Sequence, residues 1–99
     1  MLVYLKDESL EDLTKEGNVL VDFYADWCGP CKALATELED IATNNKDIKI
    51  IKVNVDEHED IAVKNKIMTI PAIYVYKDGK IAKTHNGYVD KKEILSWIK

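Results

Sequence analysis

Two cysteines, Cys28 and Cys31, are the only thiols in the chain, and they stand in the stretch WCGPCK with Gly29 and Pro30 between them. Three chemistries use a CxxC pair: half of a metal site, a structural staple, or a redox centre. Zinc takes about four ligands, and beyond the two cysteines the chain offers only His58 and His85, which share no ligand-like spacing. No metal site is therefore expected. A staple across two intervening residues closes too short a loop to remove much unfolded-state entropy. The redox reading is left as the strongest. It needs a thiolate, because the thiolate is the nucleophile in disulfide exchange.

The surrounding elements must supply that thiolate. VLVDFYA (19–25) is an apolar run of strand length, and its near-continuous apolarity suits a parallel strand buried on both faces. After it, Leu34, Leu38, Ile41 and Ala42 follow helical spacing until Asn44-Asn45. The cysteines thus fall at a strand-to-helix turn, where α/β folds concentrate chemistry. Cys28 is expected at the helix N-terminus, where free N–H groups and the dipole favour an anion. Pro30 suits the first turn. Cys31, one turn in, is expected to lie beneath Cys28, with Cys28 exposed and Cys31 buried.

The remaining elements read β-α-β-α-β-α-β-β-α. They comprise a short strand at 3–5, a helix capped by Ser9 and stopped by Gly17, the strand and helix above, a strand IKIIKVNV (48–55) and a short helix at 60–65. A hairpin follows, from AIYVY (72–76) through Asp78-Gly79 to 80–83. Last comes a helix opened by the capping box Asp90 and Glu93, with Ile94, Leu95 and Ile98 on its apolar face. Strands 19–25 and 48–55, joined by a helix, must be parallel with a right-handed crossover, and the hairpin antiparallel. The fold class expected is α/β: a mixed central sheet flanked by four helices.

Bulk properties agree with a single domain over residues 1–99. Hydrophobic residues make up 46% and charged residues 32%, ordinary for a globular chain. Eighteen acids outnumber fourteen bases, every base is lysine, and the net charge is −4, which speaks against a nucleic-acid partner. No apolar run approaches the ~18 residues of a membrane span. The opening MLVYLKDESL lacks a signal-peptide pattern. A cytoplasmic setting with reduced thiols is expected.

Trp27-Cys28-Gly29-Pro30-Cys31-Lys32 resembles the active-site motif of the thioredoxin family, and the similarity extends over essentially the whole chain. VDFYADWCGPCK is similar to the family's strand-to-helix signature and IKVNVD to its next strand. Thr69-Ile70-Pro71 resembles its cis-proline loop, Lys77-Asp78-Gly79 its hairpin, and Gly87 the glycine before its last helix. The resemblance implies a thioredoxin-like fold and a protein disulfide reductase. Cys28 would be the nucleophile and Cys31 the resolving thiol. Asp22 would be a buried proton relay to Cys31, and Lys52 would approach and tune Asp22. Trp27, Gly29, Pro30, Ile70, Pro71 and Gly87 would form the motif and substrate groove, with a cis Ile70–Pro71 bond. It also implies a monomer that binds no cofactor, serves client proteins bearing disulfides, and is recycled by a flavoprotein thioredoxin reductase drawing on NADPH or a ferredoxin. No Gly-rich phosphate loop is present.

From the residues alone Asp22 has two readings: exposed on a sheet face with Leu20 and Tyr24, or buried and hydrogen-bonded. Lys52 shares a face with Ile50 and Asn54, and Trp27 is either core or a lid beside the thiol. His58 and His85 read as surface or loop histidines. The uncharged Gly29-Pro30 spacer adds no charge to stabilise the thiolate, which favours a reductant over an oxidase or isomerase. Two alternatives stand beside the general reductase: a binding module that keeps the fold without turnover, and a reductase for one dedicated client. Thr36, Tyr24 and Ala72 depart from the family's common proline, tryptophan and threonine.

Overall fold

The computed structural model describes residues 1–98. Strand β1 spans Leu2–Tyr4, helix α1 Leu10–Thr14, β2 Asn18–Tyr24, α2 Gly29–Asn44, β3 Ile48–Asn54, α3 Glu59–Lys64, β4 Ala72–Lys77, β5 Lys80–Asn86 and α4 Lys91–Ile98. The sheet has five strands in the order β1-β3-β2-β4-β5. The first two pairings are parallel and the last two antiparallel, so the expected mixed sheet and chain order both hold.

β2 lies at the centre of the sheet, hydrogen-bonded on both sides, and its middle five residues are buried. Side chains alternate across a strand, so β2 feeds two cores. Leu20 packs with Leu34, Leu38 and Ile41 of α2 and with Ile94 of α4. Val19, Val21 and Phe23 pack on the other face, against Leu10 and Leu13 of α1 and Ile61 of α3. Each fully buried Leu or Ile contributes about 1.5–3 kcal/mol by leaving water, and this is how short helices without strong intrinsic stability are held. Among the described residues, no helix is long and apolar enough to cross a membrane.

The turn chemistry follows the residue types. Ser9 Oγ accepts the Asp12 N–H at 3.3 Å, an N-cap. Asp78 and Gly79 both take positive φ, 50° and 87°, as a two-residue hairpin turn demands. Asp78 Oδ1 accepts the Gly17 N–H at 2.9 Å, tying that turn to the end of α1. The capping box forms on one side only: Asp90 Oδ1 accepts the Glu93 N–H at 3.0 Å. The Glu93 carboxylate turns instead to the indole N–H of Trp97 at 3.3 Å.

Boundaries move by a residue or so, with one larger change. β5 runs three residues beyond the expected 80–83, to Asn86, because pairing with β4 continues to Ala72 opposite Asn86. α2 passes through Thr36 without interruption.

Candidate active site

The end of β2 and the start of α2 place the two sulfurs. Cys28 is the N-cap of α2, with extended backbone at φ −91° and ψ 111°, and its Sγ accepts the Cys31 N–H at 3.2 Å. The Cys28 N–H donates to the Ala25 carbonyl at 3.2 Å, and the Cys28 carbonyl accepts from Lys32 N–H at 3.3 Å. A sulfur fixed this way faces the positive end of a sixteen-residue helix, where negative charge is favoured. The two Cα atoms are 5.2 Å apart and the sulfurs are joined as a disulfide, well within the usual span of such a bond. Pro30 occupies the first turn of the helix, as expected.

Burial departs from expectation. Cys28 is 5% exposed and Cys31 2%, so neither sulfur is open in the disulfide form. The reason is packing: Cys28, Cys31 and Ala25 form a small cluster covered by Tyr24, Val55 and Ile70. The Ile70–Pro71 peptide bond is cis. The Pro71 carbonyl accepts the Gly87 N–H at 2.8 Å, which ties two loops together at this end of the sheet. Gly87 has φ 94°, a region that side chains other than glycine's rarely adopt. A Cβ added at Gly29 would meet nothing within 4 Å. Exposed Gly29 and Pro30 therefore leave a low, open rim beside the sulfurs.

Trp27 is not core: it is 71% exposed, and its indole N–H donates to Asp56 Oδ2 at 2.9 Å. Asp56 is held in turn by Asn54, whose Oδ1 accepts the N–H groups of Asp56 and Glu57 at 2.9 and 3.2 Å. Asp56 was not singled out from sequence. Its signal was its place, an acid just past the carboxyl end of the strand beside β2.

Asp22 and Lys52 meet because β2 and β3 are parallel and in register, Asp22 opposite Lys52. Lys52 Nζ lies 2.9 Å from Asp22 Oδ2, with exposures of 4% and 0%. Among the described residues the Lys52 ammonium is the one donor at the carboxylate, and the other oxygen, Oδ1, has no partner. Burial pushes the Asp22 carboxyl up from the ordinary carboxylate range, against the opposing attraction of Lys52. The two readings of Asp22 thus resolve to a buried carboxylate, paired with Lys52 rather than held by several hydrogen bonds. A cavity of about 190 Å³ brings Lys52 to the same space as Cys31, with Tyr4, Tyr24, Asp26 and Lys32 also on its wall. A larger cavity, about 650 Å³, lies between α1 and α3 and touches neither cysteine.

The histidines stay outside this constellation. His58 Nε2 is 2.9 Å from the Leu5 carbonyl oxygen, half-buried at the start of α3. His85 lies on β5 rather than in a loop, its ring 5.1 Å from that of Trp97. No group of three or more metal-ligating side chains occurs among the described residues.

A joined CxxC pair at the strand-to-helix turn of a mixed α/β sheet, beside a cis-proline loop, defines a dithiol–disulfide site on a thioredoxin-like fold. The family model for thioredoxin matches residues 2–99. The chain is 42% identical over 98 residues to the thioredoxin of Bacillus subtilis, covering 98% of this chain and 94% of that one. It is 39% identical over 95 residues to the thioredoxin of Listeria monocytogenes, covering 95% and 92%. It is 35% identical over 100 residues to that of Pseudomonas aeruginosa, covering 98% and 93%. Among solved structures, a chain from a study of thiol resolution in yeast mitochondrial 1-Cys peroxiredoxin via glutathione/thioredoxin systems superposes with a TM-score of 0.87. Its identity is 27%, over 98% of this chain and 92% of that one. The chain belongs to the thioredoxin family and is a thiol–disulfide oxidoreductase. The binding-module alternative is not favoured, since both cysteines are present and bonded.

Proposed function

We propose that the chain is a general protein disulfide reductase whose dithiol form passes two electrons to client proteins. The observation that carries this is the Cys28–Cys31 disulfide at the α2 N-terminus, with Ile70 packed against it. In the reduced chain, Cys28 thiolate attacks one sulfur of a client disulfide. A Cys28–client mixed disulfide forms, and the client's other sulfur leaves as thiolate and takes up a proton. Cys31 then gives its proton to the Asp22 carboxylate and attacks Cys28 Sγ. The Cys28–Cys31 bond forms, and the second client sulfur leaves as thiolate and takes up a proton as Asp22 releases its own to solvent. The client gains two electrons and two protons; the chain is oxidised from dithiol to disulfide.

The roles follow from the environments. Cys28 is the nucleophile because its sulfur already accepts a backbone N–H at a helix N-terminus, a setting that stabilises thiolate. Asp22 is the proton acceptor because burial raises its affinity for a proton, which brings it closer to a thiol's range and to the working pH. Lys52 limits that rise through its charge at 2.9 Å. Trp27, Gly29, Pro30, Ile70, Pro71 and Gly87 form the rim over which an extended client segment lies, using the Ile70 backbone as a strand would. The uncharged Gly29-Pro30 spacer supports the reducing direction.

Oxidised chain is returned to dithiol by a flavoprotein thioredoxin reductase, fed by NADPH or a ferredoxin. The chain works as a monomer in the cytoplasm, where clients and reductase share a reducing pool. With dithiothreitol as electron source, the chain should accelerate reduction of insulin's disulfides. A rate no faster than dithiothreitol alone would sink the proposal.

A further inference from the structure

Tyr24 packs against the Ala25–Cys28–Cys31 cluster, and the exchange steps above do not use it. It is half-buried on the same strand face as Asp22. Lys52 Nζ sits 4.4 Å from the centroid of its ring and 2.9 Å from Asp22 Oδ2. Tyr4 on β1 braces the ring edge-on, with centroids 6.4 Å apart and planes at 77°. The ammonium is thus gripped between a carboxylate and a ring face. Both attract it: the first by charge, the second by the ring quadrupole.

Lys52 has somewhere else to go. Its side chain lines the 190 Å³ cavity shared with Cys31, whose wall carries the exposed Asp26 carboxylate and Lys32 ammonium. A four-carbon lysine stem swings readily. Asp26 attracts it outward and solvent hydrates it there, while Lys32 on α2 repels it. On the far side of Asp22, β4 offers only Ile73, which cannot hold a charge. The ammonium meets Asp22 through Oδ2 at 2.9 Å, and Oδ1 has no partner, so the carboxylate grips it through one oxygen. The ring supplies the missing wall.

We propose that Tyr24 is a positioning residue that holds the Lys52 ammonium against the Asp22 carboxylate, on the wall of the cavity that reaches Cys31. Its consequence for exchange rests on the reading of Asp22 as the proton acceptor. With the ring gone, Lys52 moves into the cavity, the carboxylate loses its counter-charge, and Asp22 holds its proton to higher pH.

The test is the Asp22 side-chain carboxyl resonance followed against pH by carbon-13 NMR, assigned with Asp22→Asn. Tyr24→Phe keeps the ring face and should titrate with the wild type. Tyr24→Leu should shift the midpoint upward by roughly half a pH unit or more. In a Lys52→Met background, Tyr24→Leu should produce no shift. An unchanged midpoint in folded Tyr24→Leu overturns the proposal, as does a shift that persists without Lys52. Should Tyr24→Leu fail to fold, Tyr24→Met replaces it with the same outcomes. The wild type gives an independent check: Lys52 ε-methylene protons should be moved upfield by the ring, and ordinary lysine shifts there refute the contact. The pH profile of mixed-disulfide resolution separates the two ideas. A moved midpoint with an unmoved profile supports Tyr24's role and removes Asp22's.

Discussion

Asp22, the proton acceptor of the mechanism proposed above, sets that role against stability. Its carboxylate is fully buried with the Lys52 ammonium at 2.9 Å, and burial outweighs Lys52 in setting its proton affinity. A carboxyl whose folded pKa lies above its unfolded value is undisturbed below the unfolded pKa, about 3.9. Stability is then lost as pH rises through the folded pKa, because a buried charge must be kept. Asp22→Asn should therefore stabilise the fold by about 1–3 kcal/mol at pH 7, and the advantage should vanish below about pH 4. Lys52, left behind, still has the Tyr24 ring and the cavity around it. The same variant should resolve mixed disulfides more slowly, with the pH dependence of that step flattened. Denaturant melts across pH, paired with the resolution rate, check both halves. Lowered stability with unchanged turnover would mark Asp22 as structural.

At the scale of elements, the helix that carries the sulfurs is held by a core that takes no part in exchange. Leu38 is fully buried between α2 and the sheet, two turns from Cys31. Leu38→Ala should cost about 2–5 kcal/mol of stability, measured by urea melts, while leaving the pH dependence of exchange in place. A changed pH profile would mean the core couples to the site more closely than packing predicts. This division also explains what could be read from the chain. The apolar runs of β2 and β3 and the spacing of α2 announce themselves because those elements are buried on a periodic face. β5 does not: Thr84, His85 and Asn86 are paired on one edge only and carry no apolar pattern. Cys28, Cys31 and Pro30 were legible because their spacing is local. The Asp22–Lys52 ion pair lies beyond sequence alone, since it depends on strand register, and resemblance supplied it. Asp56 beneath Trp27 and the Lys52–Tyr24 contact were missed for the same reason: each joins residues far apart in the chain.

For the whole molecule, the proposed mechanism gives the two sulfurs of one disulfide different tasks. In the mechanism proposed above, a client segment adds at Ile70, which packs on the cysteine cluster, and at exposed Trp27. The same mechanism handles the proton beside the cavity lined by Cys31, Lys52 and Tyr24. That separation requires Cys28 to meet the client and Cys31 to wait. The measurement that tests it most directly is covalent capture. Reduced Cys31→Ser chain, mixed with a protein carrying an accessible disulfide, should accumulate a one-to-one adduct. Mass spectrometry should locate its bond at Cys28, and dithiothreitol should release it. Cys28→Ser should capture nothing. An adduct through Cys31 in Cys28→Ser, or none through Cys28 in Cys31→Ser, would contradict the account.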